Sequence, residues 1–182
     1  GGLSYTIGGR TIPHDLPGNL LYTTRRPLGV VALITPWNFP IAIPAWKLAP
    51  ALVTGNAVVL KPAGIAPALS LELARVLHEA GLPKGVLNVI VGEGRAVGGA
   101  IVTHKSVAAL SFTGSYAVGN AIYQQLAQRM ARAQMEMGGK NPTLVLADGD
   151  LDLAATLVAR AGFGLTGQAC TATSRVIVEK PV

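Results

Sequence analysis

What this sequence has little of narrows its classes first. It holds a single cysteine, Cys170, so no intramolecular disulfide framework is available and a reducing, cytoplasmic setting is expected. Only 13% of the residues are charged and 5% aromatic. The formal charge of +6 comes from fifteen Lys and Arg scattered without a dense run. With so few rings for base stacking, that charge describes steering of anionic ligands better than a nucleic-acid surface. A long apolar run is missing too. The most apolar stretch, residues 41–60, is broken by Pro44, Lys47, Pro50, Gly55 and Asn56, which excludes a membrane span. The opening GGLSYTIGGR lacks the basic start and apolar core of a signal peptide. No initiating Met is present and the closing RVIVEKPV reads as a strand just begun, so a fragment of a longer protein is expected.

What is abundant points to class. Half of the residues are hydrophobic, with 22 Gly and 12 Pro, as in a buried α/β core with many tight turns. Residues 1–27 read as an extended arm or hairpin. Short apolar runs then alternate with helical patterns. GVVALI (29–34), NAVVLK (56–61), GVLNVIVG (85–92) and VAALSFTG (107–114) have strand length. Between them, PAWKLAPALVTG (44–55) has helical spacing and a Gly stop. APALSLELARVLHEAG (66–81) sets Leu69, Leu73, Val76, Leu77 and Ala80 on one face. RAVGGAIVTH (95–104) is a Gly-softened helix, and another runs from about Ser115 to Ala133 with Ile122, Leu126 and Met130 in register. Such alternation makes parallel βαβ units and a Rossmann-like, doubly wound sheet. After GGKNP (138–142) come a further strand, an N-cap candidate at Asp150 and a helix to Gly162. The expected division is an arm (1–27), a cofactor-binding domain (28–137) and the opening of a second α/β domain (138–182).

Several segments could carry chemistry, each with a plainer reading. GEGRAVG (92–98) is not G-x-G-x-x-G, and an ordinary turn accounts for it. SFTGS (111–115) brings amides and a hydroxyl to a helix start, suited to a pyrophosphate, although Ser115 as a plain N-cap fits equally well. In TPWNFP (35–40), Asn38 at a strand's carboxyl end could donate to an oxyanion, while Trp37 and Phe39 could be core. Lys61 in KPAG is a snorkelling lysine or a ribose or phosphate contact. Glu136, between Met135 and Met137, is either a carboxylate pushed toward useful general-base character by apolar neighbours or a rim residue paired with Lys140. A lone cysteine in GQACTATSR (167–175) is more often packing than nucleophile.

Taken together, TPWNFP, KPA, GLPKGVLNV, SFTGS, EMGGKNP and GQACTATSR resemble, in order and spacing, the aldehyde dehydrogenase superfamily from about Pro27 to Val182. The wording ALITPWNFPIAIPAWK further resembles the bacterial branch acting on α-ketoglutarate semialdehyde and related sugar-acid intermediates. The resemblance implies NAD(P)-dependent aldehyde oxidation through a thiohemiacetal and a thioester. Cys170 would be nucleophile, Asn38 with the Cys170 backbone N–H the oxyanion donors, and Glu136 the base that activates water. Lys61 would meet the adenosine ribose, Ser115 the pyrophosphate and Trp37 the nicotinamide side. Gly94 would line the adenosine end, Gly114 would let the cofactor approach the backbone, and Gly138 would border the nicotinamide pocket. No metal is called for. The implied whole protein is a cytoplasmic homo-oligomer, dimer or tetramer, acting on a small aldehyde.

Two departures matter. Where many NAD-preferring members carry a glutamate three positions after the lysine, this sequence has Gly64, so nothing there repels a 2′-phosphate and NADP is the expected cofactor, with NAD as the other possibility. The family's N-terminal segment and C-terminal remainder are also lacking, so the isolated chain is expected to be inactive. The alternative is a non-catalytic nucleotide-binding or assembly module derived from the same fold.

Overall fold

The computed structural model describes Gly2, Tyr5 and residues 7–182. A small antiparallel ladder, β1 (Thr11–Ile12) with β2 (Leu21–Tyr22), precedes the main sheet. The chain then runs β3 (Val30–Ile34), α1 (Ala42–Val53), β4 (Ala57–Lys61), α2 (Ala68–Glu79) and β5 (Leu87–Val89). A π-helical turn (Gly94–Gly98) leads into α3 (Gly99–Thr103), followed by β6 (Val107–Gly114), α4 (Tyr116–Gln128) and β7 (Arg132–Met137). These five strands are parallel, in the order β5-β4-β3-β6-β7. Beyond them, β8 (Asn141–Val145) and β9 (Thr173–Val178) pair in parallel across α5 (Leu151–Phe163). No helix among the described residues is long and apolar enough to cross a membrane.

Strand alternation explains the layers. Val31, Leu33, Val58 and Leu60 face Leu48 of α1 and Ala74 of α2 on one side of the sheet. Ala32, Leu110 and Phe112 face Ile101 and Val102 of α3 and Ile122 and Leu126 of α4 on the other. Leu33, Leu60, Leu110 and Leu126 lose nearly all contact with water, each contributing on the order of 1.5–3 kcal/mol. Glycines end the helices as their positions in the sequence suggest: Gly55 (φ 84°) follows α1 and Gly81 (φ 100°) follows α2. Strand order reverses at β3, which is followed outward by β4 and β5 on one side and by β6 and β7 on the other. The carboxyl ends of β3 and β6 therefore flank a topological switch point, the usual place for a ligand crevice.

Three sequence readings are corrected. The helix expected to reach Ala133 stops at Gln128, Met130 is 93% exposed with φ 54°, and residues 132–137 form the edge strand β7. Six-residue pairing of β7 along β6 outweighs the helical spacing of this segment. On α2, Leu69 and Val76 are exposed; the inner stripe is Ser70, Leu73, Ala74 and Leu77. The GVLNVIVG strand is confined to Leu87–Val89 because β4 pairs with only those three residues.

Candidate active site

Cys170 lies exposed on the loop between α5 and β9. The turn before it is unusual: Leu165, Thr166 and Gly167 have φ of 50°, 54° and 72°. Two consecutive non-glycine residues in the left-handed region store backbone strain beside the thiol. The loop is tied down from two directions. Asn38 Nδ2 donates to the Gln168 carbonyl at 2.8 Å. Asn141 Nδ2 donates to the Cys170 carbonyl at 2.7 Å and to the Ala172 carbonyl at 3.2 Å. Asn38 thus comes within two residues of Cys170 although 130 positions upstream of its hydrogen-bond partner. Asn141 carried no separate expectation; an amide directly after GGK and before a strand proline was the available signal.

Glu136 reaches the same region from β7. Cys170 and Glu136 both line a cavity of about 750 Å³ walled by Ile43, Trp46 and Lys47 of α1 and by Ser111 and Thr113 of β6. Its methionine neighbours do not enclose the carboxylate. Period-two alternation sends Met135 and Met137 to the opposite face, onto the α4 side of the core, and leaves Gln134 and Glu136 on the α1 side. The carboxylate is exposed and accepts a hydrogen bond from Gln134 Nε2 at 2.8 Å, not from Lys140.

Lys47 completes this face. Its place one turn after Ile43 puts an ammonium on the buried side of α1. Its Nζ donates to Ser111 Oγ at 2.6 Å, Gln134 Oε1 at 3.0 Å and the Phe112 carbonyl at 3.4 Å. Burial pulls its pKa down to about 8, against the opposing influence of the Glu136 charge. Lys47 and Gln134 were missed as site residues; the signal was a charge at a core position of an otherwise apolar helix.

At the switch point, Thr35 and Lys61 stand on neighbouring strand ends, joined by Thr35 N–H to the Lys61 carbonyl at 3.1 Å. Thr35 Oγ1 is buried with no partner, and Lys61 Nζ reaches only the Pro62 carbonyl, at 3.3 Å. Burial lowers the Lys61 pKa. An orphan hydroxyl and an under-satisfied ammonium at the switch point suit the hydroxyls and phosphates of a dinucleotide. Ser115 caps α4, accepting from Val118 N–H at 3.5 Å, a long contact that leaves most of its acceptor capacity unused. Trp37 is 42% exposed beside Asn38. Gly94 opens the π-helical turn, and neither it nor Gly138 has an atom within 4 Å of where a Cβ would stand. Gly114 has a packing cause as well, whatever else it does: an added Cβ would lie 2.5 Å from the Phe112 ring.

A model of the aldehyde dehydrogenase family matches residues 1–182. The chain is 54% identical over 184 residues to 2,5-dioxopentanoate dehydrogenase of Saccharolobus solfataricus, covering 100% of this chain and 38% of that protein. It is 54% identical over 176 residues to alpha-ketoglutarate semialdehyde dehydrogenase of Haloferax volcanii, covering 97% and 36%. Among solved structures, betaine aldehyde dehydrogenase of Staphylococcus aureus in complex with NAD+ superposes with a TM-score of 0.95 at 38% identity, over 99% of this chain and 36% of that one. The chain thus spans little more than a third of the length of these relatives. With the doubly wound sheet and a family match along all of residues 1–182 in agreement, this chain belongs to the aldehyde dehydrogenase family.

Proposed function

We propose that the protein to which this chain belongs oxidises an aldehyde to a carboxylic acid with an NAD(P) cofactor, an acid-bearing semialdehyde being the preferred class. The observation that carries this reading is the convergence of Cys170 and Glu136 on one cavity, with Asn38 hydrogen-bonded to the Cys170 loop. The names of the two relatives above support the semialdehyde.

In this reading the Cys170 thiolate adds to the aldehyde carbon and forms a thiohemiacetal. Asn38 keeps a second amide proton beyond the one given to Gln168, and with the Cys170 backbone N–H it holds the oxyanion. Loss of one such donor costs about 2.7–4 kcal/mol of transition-state stabilisation. A bound nicotinamide supplies the two-electron acceptor that conversion to a thioester requires. Lys61, Ser115, Trp37, Gly94, Gly114 and Gly138 would hold that cofactor around the switch point. Glu136 then takes a proton from water as the oxygen attacks the thioester, expelling the Cys170 thiolate and releasing the acid.

Residues 28–137 would form the cofactor domain, 1–27 a bridging arm and 138–182 the start of the catalytic domain of a homo-oligomer. The exposed Gly64 presents no carboxylate near Lys61, which favours NADP. On the full-length protein, an aldehyde panel with both cofactors should give the highest kcat/KM for a short carboxylated semialdehyde. C170A should abolish turnover, and G64E should lower NADP kcat/KM about tenfold relative to NAD. Undiminished turnover by C170A would overturn the nucleophile, and a strong NAD preference of the unaltered protein would overturn the cofactor assignment.

A further inference from the structure

Two residues on the α1 side of the sheet form a cross-strand pair that the reaction scheme leaves unused. Ser111 on β6 stands directly opposite Gln134 on β7, and Thr113 opposite Glu136. The Gln134 amide lies between a cation and an anion. Its Oε1 accepts from Lys47 Nζ at 3.0 Å and from Ser111 Oγ, while its Nε2 donates to Glu136 Oε1 at 2.8 Å. The two charges fix its polarity, because a flipped amide would turn NH2 toward the ammonium and oxygen toward the carboxylate. Lys47 in turn is held by three acceptors, so the anchor at that end is rigid.

We propose that Gln134 is a positioning residue, whose amide ties Glu136 Oε1 to the buried Lys47–Ser111 pair and so leaves Oε2 to take the proton of the hydrolytic water. This rests on the reading of Glu136 as the base of thioester hydrolysis. When the water O–H breaks, its proton goes to Glu136 Oε2, its oxygen bonds to the acyl carbon, and the C–S bond breaks with its electron pair on Cys170. Gln134 touches none of the reacting atoms and acts through the rotamer and hydrogen bonding of Glu136. A packing role explains it poorly: Gln134 itself belongs to neither apolar core cluster, and its amide is spent on polar partners. The charged and titratable groups lining this cavity, among the described residues, are Lys47 from α1, Cys170 from the loop, and Glu136 and Arg132 from β7 itself. Glu136 is thus the one carboxylate there, and Lys47 the cation to which it is bridged.

The test follows single-turnover acylation and acyl-enzyme decay in the full-length protein by intact mass, across pH 6–9. Q134M keeps the length but loses all three hydrogen bonds of the amide. Acyl-enzyme formation should stay within about twofold of the unaltered protein while decay slows about tenfold. Q134E keeps the contact with Lys47 but sets a second carboxylate beside Glu136, so decay should slow and its pH dependence move to higher pH. Decay at the original rate in both variants would overturn the proposal. So would equal slowing of both steps with a lowered Tm, the mark of a structural residue. E136Q separates the two layers: if its acyl-enzyme decays normally, the assignment of Glu136 fails, whereas normal Q134M and slow E136Q defeat only the role of Gln134.

Discussion

Cys170 and Glu136 reach one cavity through strand alternation on β7 and the tethering of the Cys170 loop by Asn38 and Asn141. Alternation alone decides that Glu136 shares a face with Gln134 and Lys47, and not with the methionines beside it. The buried ammonium of Lys47 has a consequence for stability at this same scale. Its pKa falls from 10.5 unfolded to about 8 folded. Between these values the unfolded chain binds more protons, so the penalty of burying the charge is present below about pH 8 and relieved as pH rises toward about 10.5. K47M removes that dependence. The Tm of the unaltered protein minus that of K47M should therefore rise with pH across this window, measured by calorimetry in full-length proteins. A flat or falling difference would contradict the assignment.

At the scale of elements, the helix starts and strand positions were legible because propensity and pairing agree. Asp150 caps α5 through Leu153 N–H at 2.9 Å, as its position before an apolar helical pattern suggests. The transition from α4 to β7 was not legible. Nothing local marks Met130 as the turn residue, since a glycine is the usual occupant of that left-handed position. M130G should accordingly raise stability by about 1 kcal/mol in urea titrations, by removing the strain of a side chain at φ 54°; a destabilised variant would show that Met130 makes contacts the strain argument ignores. Ser115 allows two readings that one variant separates. Its cap contact is long, so S115A should lose well under 1 kcal/mol of stability. If the hydroxyl also meets a pyrophosphate, the same variant raises the cofactor KM several-fold with kcat little changed; a purely stability effect would leave Ser115 as a cap.

The whole molecule is uneven in its burial. The five-stranded sheet is covered on both faces, whereas α5 contains no buried residue and leaves Leu151, Leu153, Leu157 and Phe163 exposed. Leu144, Leu146, Ile177 and Val178 are exposed around the β8–β9 pair as well. Two strands and one helix bury too little apolar surface to offset their conformational entropy. In the isolated 182-residue chain, limited proteolysis should cut first within residues 138–182 and leave a resistant core ending near Met137. Turnover by that chain should be undetectable in an aldehyde-dependent absorbance assay. Uniform resistance together with measurable activity would show that this region folds unaided.

The sequence by itself determined the periodicities: apolar runs of strand length between helical faces, glycine stops, and the motif order from which the family, the fold class and the identities of Cys170, Glu136 and Asn38 as candidates could be read. These are properties of short segments, set by nearest-neighbour sterics and local burial. Only the tertiary structure decided which residues meet. It turned Arg132 and Ala133 from helix to edge strand, because a six-residue ladder along β6 is available only once the sheet exists. It also placed Lys47, Ser111 and Gln134 behind Glu136, and Asn38 against the Cys170 loop. Contacts across such sequence separations are fixed by sheet order and helix docking, which no local pattern encodes.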